Sequence, residues 1–290
     1  MIVSSPRPAE QAFHLDRVGF AYHHRPRASG APSNGSLFRE LTFSVDAGEM
    51  LGVIGPNGSG KSTLLKLLAG IVRPSAGTIH VFGRDTGSLT RNDFGKLIAY
   101  VPQEFLTTFP FTVKDIVLMG RYPHRKTDWL SFWGWERDGD YQAAAQAMAD
   151  LNLLDMADKS VHEISAGERQ RTLIARALAQ EAKIVLLDEP TAFLDLKYQV
   201  EIGQRLYRLS RDRGLTMVVV SHDLNLAGQY CDRLLLLNHG TLIGLAEPAA
   251  IMRPEVLESV YQCRVLVDHH PETGRPRVSL PGDPGVSPYL

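Results

Sequence analysis

Ile54-Gly55-Pro56-Asn57-Gly58-Ser59-Gly60-Lys61-Ser62-Thr63 decides how the rest of this 290-residue chain is read. Residues 51–54 form a short buried strand, and the glycine-rich loop after it leads into a helix opened by Ser62, Thr63, Leu64 and Leu65. The spacing G-x-x-x-x-G-K-[ST] can arise by accident in a glycine-rich turn. A strand before it and a helix after it make it a phosphate cradle. Glycines let the backbone fold into a nest of converging N–H groups, and the helix adds its positive dipole end. Lys61 is placed to reach the β- and γ-phosphates of a nucleotide, and the Ser62 hydroxyl to ligate Mg²⁺.

Working outward, hydrophobic content of 44% and charged content of 22% are ordinary for a soluble globular protein. The length suits one large α/β domain or two small ones. A net charge of −1 supplies no basic field, so nucleic acid is not expected as a partner. Cys231 and Cys263 follow no metal-ligand spacing and read as two small hydrophobes. No apolar run approaches the ~18 residues that span a bilayer, and residues 1–10 lack the apolar core of a signal peptide. A membrane role is therefore expected to go through a partner.

Residues 13–22 and 37–45 alternate apolar and polar side chains, as half-exposed antiparallel strands do. Between them, 23–36 is rich in Pro, Gly, Ser and Arg and reads as a loop. His23 and His24 have no third ligand nearby and read as solvated. Further strands are expected at 78–82 and 97–101. From 105 to about 157 the pattern turns helical, with Val113, Ile116 and Val117 on one face and an alanine-rich run over 142–154, which reads as an inserted subdomain. Its aromatics Trp129, Phe132, Trp133 and Trp135 read either as a local hydrophobic staple or as a docking surface. A helix at 168–180 follows. Strands at 184–187 and 217–220 flank a helix at 196–212, which spells a parallel crossover. Asn238-His239-Gly240 joins a hairpin of 233–237 and 241–245, and a short helix occupies 255–261. The last 25 or so residues, rich in Pro and Gly, are expected to lie along the surface.

Four of these strands each end beside a group suited to phosphate chemistry: Ile54 before the cradle, Val101 before Gln103, Leu187 before Asp188 and Glu189, and Val220 before Ser221 and His222. Ligands of open parallel α/β sheets bind beyond the carboxyl ends of the strands, so all four are expected around one nucleotide. Asp188 reads as the Mg²⁺-side carboxylate. Glu189, pointing the other way along the backbone, is the group to orient or deprotonate an attacking water, with His222 as a catalytic neighbour.

Gly55 to Ser62, Gln103, Ile164-Ser165-Ala166-Gly167-Glu168-Arg169-Gln170-Arg171, Ile184 to Pro190, Leu194-Asp195 and Ser221-His222-Asp223 come in the order and spacing of an ATP-binding cassette ATPase, which the chain resembles over nearly its whole length. The resemblance implies an α/β fold: a P-loop NTPase core with a mixed sheet, an N-terminal antiparallel β subdomain and a helical insertion subdomain. It implies an ATPase domain at 12–262, the helical subdomain at about 105–180 within it, and extensions at 1–11 and 263–290. It gives roles as follows. Tyr22 stacks on adenine. Gly55, Asn57, Gly58, Gly60, Lys61, Ser62 and Thr63 hold ATP, and Ser62, Gln103 and Asp188 serve Mg²⁺. Glu189, His222 and Gln103 are catalytic. Glu168 and Asp195 are further ATP-binding residues, and Ser165 and Gly167 reach the γ-phosphate of ATP held by the other subunit of a homodimer.

Ala166 departs from the family's Ser-Gly-Gly, and its Cβ is expected to weaken the contact across the dimer or alter the turn. Gly120-Arg121-Tyr122-Pro123-His124-Arg125, His222-Asp223-Leu224-Asn225 and Gly274-Arg275-Pro276 narrow the resemblance to importers of iron siderophores, haem and vitamin B12. That branch implies an ATPase subunit on the cytoplasmic side of the inner membrane. Its helical subdomain and a groove near Gln103 would meet integral permease subunits, and an extracellular or periplasmic substrate-binding protein would act indirectly. The alternative is a soluble ABC ATPase that moves no solute, as in iron–sulfur cluster assembly.

Overall fold

The computed structural model describes residues 10–22, 36–103, 108–125, 138–192, 194–279 and 281–282. His23, His24 and the aromatic run at 129–135 lie outside them. In chain order the strands are β1 (Gln11–Phe20), β2 (Phe38–Asp46), β3 (Met50–Ile54), β4 (Ala76–Val81), β5 (Arg84–Asp85), β6 (Ile98–Val101), β7 (Ile184–Asp188), β8 (Thr216–Val220), β9 (Arg233–Asn238), β10 (Thr241–Ala246), β11 (Leu266–His269) and β12 (Pro276–Ser279). The helices are α1 (Lys61–Leu68), α2 (Arg91–Leu97), α3 (Val113–Leu118), α4 (Asp138–Asp150), α5 (Ala166–Ala179), α6 (Leu196–Arg213), α7 (Leu224–Tyr230), α8 (Pro248–Ile251) and α9 (Pro254–Tyr261).

Six strands form one mixed sheet in the order β10-β9-β3-β8-β7-β6. All neighbours run parallel except the β9–β10 hairpin at one edge. Successive side chains of a strand face opposite sides, and the apolar runs are buried on both. Met50, Ile54, Val185, Leu187, Met217, Val219, Leu234 and Leu236 join the core beneath the helices α3 to α9. Leu51, Val53, Leu186, Val218, Val220, Leu235 and Leu237 join the core under α1 and the N-terminal strands. Each such fully buried aliphatic contributes roughly 1.5–3 kcal/mol over an exposed one. The second sheet, β2-β1-β4-β5, is antiparallel and lies over that face. Its alternation is the one read from the sequence, and β1 pairs with both β2 and β4.

The stretch between β6 and β7 is helical. α5 begins at Ala166, two residues earlier than expected, because Ser165 caps it: its Oγ accepts from Glu168 N–H, and the Glu168 carboxylate accepts from Ser165 N–H. α4 starts and ends before the expected 142–154. Asn152 turns to φ +53°, and Leu154 opens a separate 3₁₀ turn. The tail, expected along the surface, has no buried residue in its two strands, β11 and β12, which form an antiparallel hairpin. The two cysteines are free, Cys231 buried and Cys263 exposed. Among the described residues no helix is long and apolar enough to cross a membrane.

Candidate nucleotide site

The cradle is built where β3 ends. Gly55 has φ +146°, and a Cβ there would lie 2.0 Å from the Leu237 carbonyl oxygen, so only glycine lets the loop leave the sheet beside β9. Gly60, at φ +105°, caps α1 with no side-chain bond to its first-turn amides, the groups that suit an anion. Lys61 is buried. Its Nζ donates to Gly55 O at 2.8 Å and Pro56 O at 3.0 Å, which folds the ammonium across the loop. Burial pushes its pKa down, against the pull of Glu189 and Asp188. Tyr22 stands edge-on to Phe20, and its hydroxyl lies 3.0 Å from Thr63 Oγ1, which fixes the ring beside the first turn of α1.

The two carboxylates at the end of β7 face different partners. Asp188, 3% exposed, accepts from Ser62 Oγ at 2.9 Å and from the Tyr100 hydroxyl at 3.2 Å. Burial and the Asp188 charge push the Tyr100 phenol upward, so it stays a donor. A serine hydroxyl and a carboxylate side by side are hard oxygen donors that fit Mg²⁺. Glu189 takes φ +51°, a left-handed turn that β-carbon sterics disfavour. That turn aims its carboxylate away from Asp188. Gln103 Nε2 donates to Oε2 at 2.8 Å, and His222 Nε2 lies 2.5 Å from Oε1. A carboxylate oxygen only accepts, so the contact places the histidine proton on Nε2. The strand-end residues of β6, β7 and β8 thus meet on one carboxylate.

A cavity of about 720 Å³ opens over these groups, lined by Asn57, Gly58, Gly60, Lys61, Ser62 and Thr63 together with Gln103, Glu189 and His222. Gln103 touches Glu189 rather than the Ser62–Asp188 pair, so its side chain sits with the Glu189 carboxylate. Ser165, Gly167, Glu168 and Asp195 do not line this cavity. Ser165 is exposed at the start of α5 and Asp195 exposed at the start of α6. Gly167 packs against the Tyr198 ring, where a Cβ would come within 3.3 Å. Ala166 does not take a positive φ. As the first residue of α5 it carries its Cβ without a left-handed φ. Sequence reasoning missed Tyr100. Its signal was a hydroxyl-bearing ring in an apolar strand, three residues before Gln103.

The profile of the ABC transporter family matches residues 38–192, more than half of the chain. The cobalamin import ATP-binding protein of Halobacterium salinarum is 38% identical over 238 residues, 82% of this chain and 58% of that relative. The chain thus spans somewhat over half the length of that relative. The ferric enterobactin transport ATP-binding protein of Escherichia coli is 36% identical across 84% of this chain and 88% of its own. The hemin import ATP-binding protein of Rhodococcus jostii is 40% identical across 81% and 78%. Among solved structures, a metal-chelate type ABC transporter in an inward-facing conformation superposes with a TM-score of 0.78 at 34% identity, covering 93% of this chain and 97% of that one. A dimeric bacterial ABC transporter cassette gives 0.69 at 26% identity, covering 81% and 98%. With a phosphate cradle, paired strand-end carboxylates and these relatives, the chain belongs to the ABC transporter family and has the fold of its ATP-binding cassettes.

Proposed function

We propose that this chain binds and hydrolyses ATP to drive a membrane importer for an iron chelate, haem or cobalamin. The observation that carries the reading is Glu189, held by Gln103 and His222 in the same cavity that Lys61 and Ser62 line. The substrate class rests on relatives named for cobalamin, ferric enterobactin and hemin import. The triphosphate is gripped by the loop amides and by Lys61, which exchanges its two carbonyl partners for phosphate oxygens. Ser62 and Asp188 would hold Mg²⁺, which supplies charge neutralisation at the β- and γ-phosphates when bound. Glu189 orients water and takes its proton. His222, carrying its proton on Nε2, fixes that carboxylate. Ser165 and Gly167, together with the capped start of α5 and with Asp195, complete the site of a second copy. The working form is a homodimer on the cytoplasmic face of the membrane, docked to permease subunits near Gln103.

Glu189→Gln tests this directly. It keeps the bond from Gln103 possible but cannot accept a proton. Turnover should fall by about 10² or more while ATP affinity is retained. Hydrolysis at the wild-type rate would remove Glu189 from its role.

A further inference from the structure

The tail hairpin has no part in the site, yet it is bonded to the helix that follows His222. We propose that β11–β12 is a brace that positions His222, with Asn225 as the positioning residue. The inference rests on the reading that His222 and Glu189 act in hydrolysis.

Asn225 lies in the first turn of α7. Its Nδ2 donates to Val278 O at 3.1 Å, and its Oδ1 accepts from Val278 N at 2.7 Å. The side-chain amide therefore stands in for a neighbouring strand and pairs with the outer edge of β12. At the other end of α7, Arg275 Nη1 donates to Gly228 O at 3.1 Å and Cys231 O at 2.9 Å, which occupies the last-turn carbonyls. Thr273 Oγ1 donates to Gln229 Oε1 at 3.0 Å. Gly228 makes room: a Cβ there would lie 2.6 Å from Met252 Sδ and 3.3 Å from Pro276 O. The hairpin holds itself in shape through the two 2.8 Å bonds from Arg277 to Asp268.

α7 needs this. It has seven residues, of which only Ala227 and Gly228 are buried, and a helix so short is not stable alone. Its start is tied in turn to the histidine. Asp223 Oδ1 accepts from Asn225 N at 2.8 Å and Leu226 N at 3.0 Å. Ser221 Oγ accepts from Asp223 N and donates to Asp223 O, each at 3.0 Å. His222 sits between those two residues with its side chain 45% exposed, so its backbone is set by the turn and the turn by α7.

The test uses the full-length chain. Asn225→Ala should lower kcat about ten-fold and leave the ATP Kd within about two-fold, since a small misplacement of a reacting group acts on the chemical step. Asn225→Asp keeps the acceptor for Val278 N–H and should lose less. Adding His222→Ala to Asn225→Ala should cost no more than His222→Ala alone, the non-additivity expected of residues acting through one group. Hydrogen exchange over residues 224–230 should speed up in Asn225→Ala while residues 61–68 keep their protection. Wild-type turnover in Asn225→Ala, multiplying losses in the double variant, or joint loss of kcat and ATP affinity would overturn the brace. Should His222→Ala itself hydrolyse at the wild-type rate, the hydrolytic reading fails, and the exchange measurement alone decides whether the hairpin holds α7.

Discussion

Lys61 and Glu189 are held in ways that oppose folding and suit phosphate. Lys61 keeps an ammonium in a place that burial makes unfavourable for charge, and Glu189 holds a left-handed φ at roughly 1–2 kcal/mol against an ordinary one. Unfavourable backbone and charge placed side by side at strand ends are what a preorganised site looks like. A lysine whose folded pKa is lowered opposes folding where it is protonated and stops doing so as pH rises through that pKa, so raising the pH from neutral should favour the wild-type melting temperature relative to that of Lys61→Ala. ATP affinity, in contrast, should fall by about 100-fold, because two charge-assisted bonds to phosphate at roughly 1.5 kcal/mol each are lost. Equilibrium binding and a thermal melt on the same sample check both halves. Undiminished affinity would remove the cradle assignment.

Among the elements, those with a strong period were legible in the sequence and those defined by close approach were not. The apolar strands β3, β7 and β8 and the alternating β1 and β2 stand within a residue or two of where their patterns put them. Four strand ends do bring their polar residues to one cavity edge. The hairpin β11–β12 left no such trace. Its strands are four residues each with none buried, and its anchor is a side-chain amide on another element. The Gly120-Arg121-Tyr122-Pro123-His124 stretch was legible as a motif but not as a joint. In the structure, Arg121 donates to Ala179 O at 2.7 Å and ion-pairs with Asp140 and Glu181, and His124 meets Gln180 O at 2.8 Å, which ties the end of α3 to the end of α5. Gly120 permits that joint, since a Cβ would lie 2.1 Å from the backbone oxygen of Arg176. Gly120→Ala should therefore cost about 2–4 kcal/mol, read as a lower urea midpoint at unchanged m. A loss within about 0.5 kcal/mol would mean that the joint yields.

At the scale of the whole molecule, the residues fall into two sets that do not meet within one chain. The cradle, Glu189 and His222 line one cavity, whereas Ser165 and Asp195 stand exposed at the starts of α5 and α6. Those two starts are neighbours through Gly167 and Tyr198, and Leu196 beside them is 74% exposed. A capped helix start with an exposed hydroxyl suits phosphate, and an exposed leucine suits burial, so both call for a second surface. In the proposed homodimer a second copy would bring a cradle to that surface and receive one in return, which closes under two-fold symmetry. Placing Ser165→Arg on the Glu189→Gln background separates the two sets. Binding of ATP to the monomer should stay within about two-fold, because Ser165 is remote from its own cavity, while ATP-driven dimerisation in sedimentation velocity should be lost to the bulk and charge at the joint. A Ser165→Arg protein that still dimerises on ATP would place the second surface elsewhere. One that loses ATP binding as a monomer would put Ser165 in the site of its own chain.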